Sequence, residues 1–150
     1  MFEMSCDCEK FVEDIEKLCK YTLSGALKKG LTEAALKLEY EAKKQIRDNC
    51  PEEWREEDED EEVRRSITHK VSDTEAVVGA SNLMSIWMHQ GTGLYAVNND
   101  GRKDVPWYWK DEETGKWKHS SGRNPFPYLQ NALLENKEEI LKCFKNKLEE

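Results

Sequence analysis

The apolar residues of this chain change their spacing twice, and that change constrains the fold more than any other feature. In LTEAALKLEYEAKKQIRDNC (residues 31–50), Leu31, Ala34, Ala35, Leu38, Ala42 and Ile46 recur every three to four positions, the repeat of one helix face. From residue 63 the repeat is two. Val63, Arg65, Ile67, His69 and Val71 alternate with Arg64, Ser66, Thr68 and Lys70, as in a half-buried strand. Past Pro127 the helical repeat returns, with Leu129, Leu133, Ile140, Phe144 and Leu148 on one stripe and lysines and glutamates opposite. Strands gathered between helices read as an α+β fold: N-terminal helices, a small antiparallel sheet with a short helix, and a long C-terminal amphipathic helix.

Local signals set the expected boundaries. Phe11, Ile15, Leu18, Cys19 and Thr22 give a first helical stripe over residues 9–22, and Gly25 and Gly30 loosen the stretch after it, so residues 1–30 read as an N-terminal helical extension of a domain at 31–150. Thr32 is placed to cap the next helix, and Asn49 with Pro51 to stop it. Ser72-Asp73-Thr74 has turn chemistry, and AVVGAS runs back as a second strand. Asn82 can cap a short helix, LMSIWMHQ, ended by Gly91 in the left-handed conformation. Leu94–Val97 is short and strand-like, and Asn98–Gly101 is a loop of turn formers. VPWYWKDEETGKWKH reads as a hairpin with two aromatic arms around Gly115.

At 150 residues and 17.5 kDa, with 37% hydrophobic against 36% charged residues, the chain is sized for one domain with an adequate core. It has no apolar run long enough to span a bilayer. MFEMSCDCEK lacks both the basic start and the apolar stretch of a secretory signal, so an intracellular, reducing origin is expected. Five cysteines, an odd number, argue against a disulfide framework. Cys6-Asp-Cys8 does not have the spacing of a paired zinc ligand set, and no second pair accompanies it; no metal and no cofactor are expected. The segment EEWREEDEDEE (52–62) carries nine acidic residues and one arginine. Its balance of −8 equals the net charge of the whole chain, so the remainder is neutral. No basic footprint for a phosphate backbone exists, and specific nucleic-acid binding is not expected. The segment itself reads as a solvated, mobile acidic loop, which would also suit a surface that DNA passes without sticking.

Candidate sites are few. Gly91-Thr92-Gly93 follows a helical pattern and precedes a strand-like run, the reverse of the strand–loop–helix order that a phosphate-cradling loop needs, so it reads as a structural turn. His69, His89 and His119 have no nucleophile elbow, paired carboxylate or Cys-His motif beside them, and no catalytic residue is assigned. His69 falls on the apolar face of its strand as a half-buried, hydrogen-bonded group. His89 ends a helix, where positive charge suits the macrodipole. Trp107, Tyr108, Trp109 and Trp117 put aromatics on both faces of one hairpin. Either they pair across strands over a thin core, or one face packs on another subunit.

Three short motifs occur in a recognisable order: Val63-Arg64-Arg65-Ser66-Ile67, then WMHQGTG at 87–93, then Pro127-Tyr128-Leu129-Gln130-Asn131-Ala132 continued by ENKEEILK. Over about residues 31 to 150 the chain resembles the phage tail-component family named after gene ten of coliphage Hong Kong ninety-seven, whose signatures are L-R-x-S-I, GT or GTG, and P-F-L-x-x-A. Where that family commonly has P-x-D-T-G-x-L, this chain has Pro51 and the acidic segment. The resemblance implies a non-catalytic structural protein of a tailed phage or phage-tail-like particle. It would act at the head-proximal neck or tail-completion position as a ring of identical subunits, expected to be hexameric. The implied partners are the chain itself and tail-terminator, tail-tube and neck or connector proteins, with no membrane. The implied location is the virion, after assembly in the host bacterial cytoplasm. Gly91, Thr92 and Gly93 would form the turn between short helix and sheet. Trp107, Trp109, Trp117, Tyr128, Leu129, Ile140 and Phe144 are the candidate subunit interface. Two other functions stay open: a small intracellular hydrolase or metal-dependent enzyme using His89, His119 and acidic residues, and an adaptor whose acidic segment captures a basic partner.

Overall fold

A computed structural model describes residues 8–149, with side chains apart from those of 8–12, 14, 19 and 21; Cys6-Asp-Cys8, Phe11 and Cys19 therefore lie outside the described side chains. The first described element is one helix, α1 (Cys8–Asn49), where two were expected. Gly25 and Gly30 do not break it. A Cβ at Gly30 would sit 2.8 Å from the Phe144 ring and 3.0 Å from the Phe144 carbonyl oxygen, so the missing side chain lets the last helix approach closely. That packing offsets the roughly 1 kcal/mol that glycine costs inside a helix. Thr32 is not a cap, because it lies in mid-helix, where its hydroxyl donates back to the Lys28 carbonyl at 2.8 Å. The helix ends at Asn49 as its Asn-x-Pro signal predicts. Arg55 closes the end, with its guanidinium donating to the Arg47 and Cys50 carbonyls at 3.2 and 3.0 Å.

The acidic segment is structured, not a loop. Two short 3₁₀ turns (Glu52–Trp54 and Glu56–Asp58) lead into α2 (Glu59–Ser66). Val63 and Arg64 to Ser66 are thus helical where a strand was expected. Val63 and Ile67, four residues apart, are both buried on the core side, and Glu61 binds Arg64 and Arg65 one turn on. Four acidic residues in its first turn and two arginines in its last suit the helix dipole.

Two separate two-stranded sheets replace the single sheet. β1 (Ile67–Val71) and β2 (Ala76–Ala80) pair antiparallel from Ile67↔Ala80 to Val71↔Ala76, around a turn in which the Ser72 hydroxyl accepts the Glu75 N–H. α3 (Met84–Gln90) follows, with the Asn82 side chain accepting the Met84 N–H at 2.8 Å. The strand expected at Leu94–Val97 is absent: Gly93–Tyr95 forms a 3₁₀ turn, because the chain doubles back here instead of pairing. β3 (Trp107–Lys110) and β4 (Trp117–Ser120) form the expected aromatic hairpin, closed by Asp111, which accepts from Glu113 N–H and the Thr114 hydroxyl.

The chain closes with α4 (Tyr128–Glu149), antiparallel to α1 in the most extensive packing of the fold. Gly30 meets Phe144, Lys37 pairs with Glu139 at 2.8 Å, and Gln45 donates to Glu135 at 2.5 Å. The core lies where α1, α2, β1, α3 and the start of α4 converge, around Ala42, Ile46, Trp54, Val63, Ile67, Met88, Phe126, Tyr128 and Ala132.

Candidate functional site

Gly91-Thr92-Gly93 follows α3 and is stitched to the exit of the second hairpin. The Thr92 N–H donates to the Arg123 carbonyl at 3.0 Å, the Arg123 N–H to the Thr92 hydroxyl at 2.9 Å, and the Leu94 N–H to the Ser121 carbonyl at 3.1 Å. Gly91 has φ +77° and ψ 171°, an extended backbone on the positive side of φ, and not the left-handed helical geometry expected of it. A Cβ there would press on the Tyr95 carbonyl and Pro125, and one on Gly93 would run into Ser121 and Gly122. The partner of this turn is 31 residues away, so only the folded chain brings the two together.

The stitching builds a tryptophan-lined groove. Trp54, Trp87, Trp107 and Trp109 border an open cavity of about 330 Å³, with Met84, Glu59 and Arg123 among its other walls. The indoles come from three places: a 3₁₀ turn, α3, and alternate positions of β3. Strand register explains the last two, because Trp107 and Trp109 share a face with their partners Ser120 and Lys118. Tyr108, His119 and Trp117 occupy the opposite face, where Trp117 is 71% exposed.

Trp54 anchors the acidic segment. It is 1% exposed, its indole N–H donates to the Asn124 carbonyl at 2.8 Å, and the Arg123 guanidinium lies 4.9 Å from its ring centroid. Arg123 also pairs with Glu59 and lies 3.9 Å from Glu56, while Lys118 binds Glu57 at 2.6 Å and Asp111 at 3.0 Å. Burial pushes the Glu59 carboxyl up, and the Arg123 pair does not fully offset it. The Asp111 carboxyl, held by Thr114 and Lys118, is lowered to about 2.

Trp54, Trp87, Glu59 and Arg123 were missed as site residues. The one signal in the sequence was a tryptophan inside an acidic run, since a residue so large is usually buried.

The histidines stay apart. His69 bonds Glu39 at 2.5 Å across the β1–α1 seam. Burial raises the Glu39 carboxyl, but hydrogen bonds from His69 and Lys43 outweigh it and the net shift is downward. His89 lies edge-on to Tyr128, 5.6 Å between centroids, and burial lowers its pKa, so neutral packing, not the expected positive charge, suits it. His119 lies against Tyr108. Burial pushes the Cys50 thiol up to about 11, leaving it a small hydrophobe. Among the described residues no cluster of three His, Cys, Asp or Glu side chains is placed to hold a metal ion.

Four of the expected interface residues turn inward. Tyr128 is 1% exposed and Leu129 packs against the core; Ile140 and Phe144 are half-buried on the side of α4 that meets α1. The i, i+4 line 128–132–136–140–144 faces α1, which leaves Leu133, Leu134, Leu141 and Leu148 on the exposed side. Leu134, Leu141 and Leu148 fall seven residues apart, and Leu134 is 64% exposed.

No family model, no curated protein and no solved structure matches this chain.

Proposed function

We propose that the chain is a structural subunit of a tailed phage or phage-tail-like particle, assembling with copies of itself into a ring at the head-proximal neck or tail-completion position. The observation that carries this reading is a pair of unlike apolar faces on one protomer. One is the outer face of the aromatic hairpin, with Tyr108 and Trp117 exposed; the other follows the leucines of α4. Residues 121–127 join the hairpin to the start of α4, and this helix of 22 residues extends about 33 Å from there. Two different faces set apart in this way suit a head-to-tail contact, which closes into rings where its rotation permits. Exposed apolar patches of this kind mark protein interfaces. The order of the three tail-component motifs supports the placement in the tail. On this reading the partners are neighbouring copies and the tail-terminator, tube and connector proteins, and the role is non-catalytic.

The test is made on source cells. Resident prophage is induced by DNA damage, released particles are separated on a density gradient, and their proteins are identified by mass spectrometry. The chain is expected to travel with tails at a ring-like fraction of the tube protein. Tails that form without it, while it stays in the soluble fraction, would overturn the proposal.

A further inference from the structure

Arginine already sits on two of the four indoles that line the groove. The Arg123 guanidinium lies 4.9 Å from the Trp54 ring and that of Arg102 lies 5.5 Å from the Trp107 ring. Both are within the range over which an indole face attracts a cation. The other two, Trp87 and Trp109, are 45% and 39% exposed and carry no such cation or ring partner among the described residues. Next to them a second depression of about 670 Å³ shares Glu59, Trp109, Ser120 and Arg123 with the first and opens on Glu53, Glu56 and Glu57. Its four carboxylates face only two cations, Lys118 and Arg123, so the rim keeps an excess of negative charge. Phosphate or an acidic chain is repelled by such a rim, and a cation is drawn to it.

We propose that this groove captures a partner protein by an arginine or lysine side chain laid between Trp87 and Trp109, with the flanking basic segment crossing Glu56 and Glu57. The indoles take the apolar stem and the face of the cation, and the carboxylates take its charge. The cavity has room for one long side chain and is open to solvent. Nothing in this depends on where the chain sits in a particle, because the groove belongs to a single protomer. A chain that failed the density-gradient test could still bind, and a ring subunit could still fail to.

The test uses the full chain and a fluorescein-labelled hexaarginine peptide, followed by anisotropy and by tryptophan fluorescence at low and physiological salt. Hexaglutamate and a Gly-Ser hexapeptide serve as controls. Hexaarginine is expected to bind, to change the tryptophan emission, and to weaken steeply as salt rises. Trp109→Leu, which keeps apolar bulk but removes the π face, should weaken binding about tenfold. Glu56→Gln with Glu57→Gln should weaken it by about the same factor and flatten the salt dependence. Should Trp109→Leu lower the melting temperature, Trp87→Leu makes the same comparison. Equal binding by the wild type and both tryptophan variants would reduce the effect to general attraction by an acidic chain and overturn the proposal. Binding of either control peptide, or no binding of hexaarginine, would overturn it as well.

Discussion

Trp54→Ala should destabilise the protein by about 3–5 kcal/mol, the usual cost of cutting a buried tryptophan to alanine. The value reflects the contacts Trp54 makes here. It is nearly fully buried, in contact with a core drawn from α1, α2, β1, α3 and α4. Its indole N–H satisfies the Asn124 carbonyl, a bond worth about 1 kcal/mol net, and its face holds the Arg123 guanidinium, worth about 0.5–1 kcal/mol or more. Those two interactions belong within the total, not on top of it. In a chain of this length the loss corresponds to a fall in melting temperature on the order of 10 °C. Thermal and urea unfolding measure it, and limited digestion with a glutamate-specific protease locates it. In the variant the segment 52–62 should be cut well before the rest of the chain, since releasing Trp54 frees Glu57 and Glu59 from Lys118 and Arg123. Trp54→Phe separates the parts, retaining most of the buried area but leaving the Asn124 carbonyl without its donor. A loss below about 0.5 kcal/mol in Trp54→Ala, the size of an ordinary surface change, would refute the structural role of the acidic segment. It would return the segment to a solvated loop.

Gly91→Val should cost about 2 kcal/mol or more, because a β-branched residue resists a φ of +77° and its Cβ would meet Pro125 and the Tyr95 carbonyl; unchanged melting would refute the turn's role. Gly30→Leu should cost about 1–3 kcal/mol by forcing α4 off α1, and in a double-mutant cycle Phe144→Ala should recover part of that cost. For His89, burial favours the neutral ring in the folded state. Stability should therefore decline as pH falls below the unfolded value of about 6.5 and level off once the folded ring is protonated; His89→Gln should flatten melting temperature between about pH 7 and pH 5. Leu134→Glu with Leu141→Glu should leave stability within about 0.5 kcal/mol but reduce self-association in sedimentation velocity.

The sequence alone determined the features that depend on neighbours along the chain. The repeat of three to four residues gave the helix that ends at Asn49 and the one that begins after Pro127. The repeat of two gave β1 from Ile67, and Ser72-Asp73-Thr74 and the residues around Gly115 gave the hairpin turns. Asn82 was legible as a cap because its bond reaches only two residues on. The α+β class follows from those elements taken in order.

The tertiary structure decided the features that depend on distant partners. Gly30 looks like a helix breaker until Phe144 is packed against it. Val63 to Ser66 alternate as a strand would, but Val63 and Ile67 are buried one helical turn apart and Glu61 grips both arginines. The acidic run reads as solvent-facing because its charge dominates its composition. Trp54, Arg123 and Lys118, the groups that hold it down, are a single residue within the run and two that lie more than 50 positions beyond it. The tryptophan groove was out of reach for the same reason, being assembled from four indoles on three elements through a turn that pairs with Arg123. Charge and periodicity are summed along the chain, whereas burial is a property of whatever the fold places alongside.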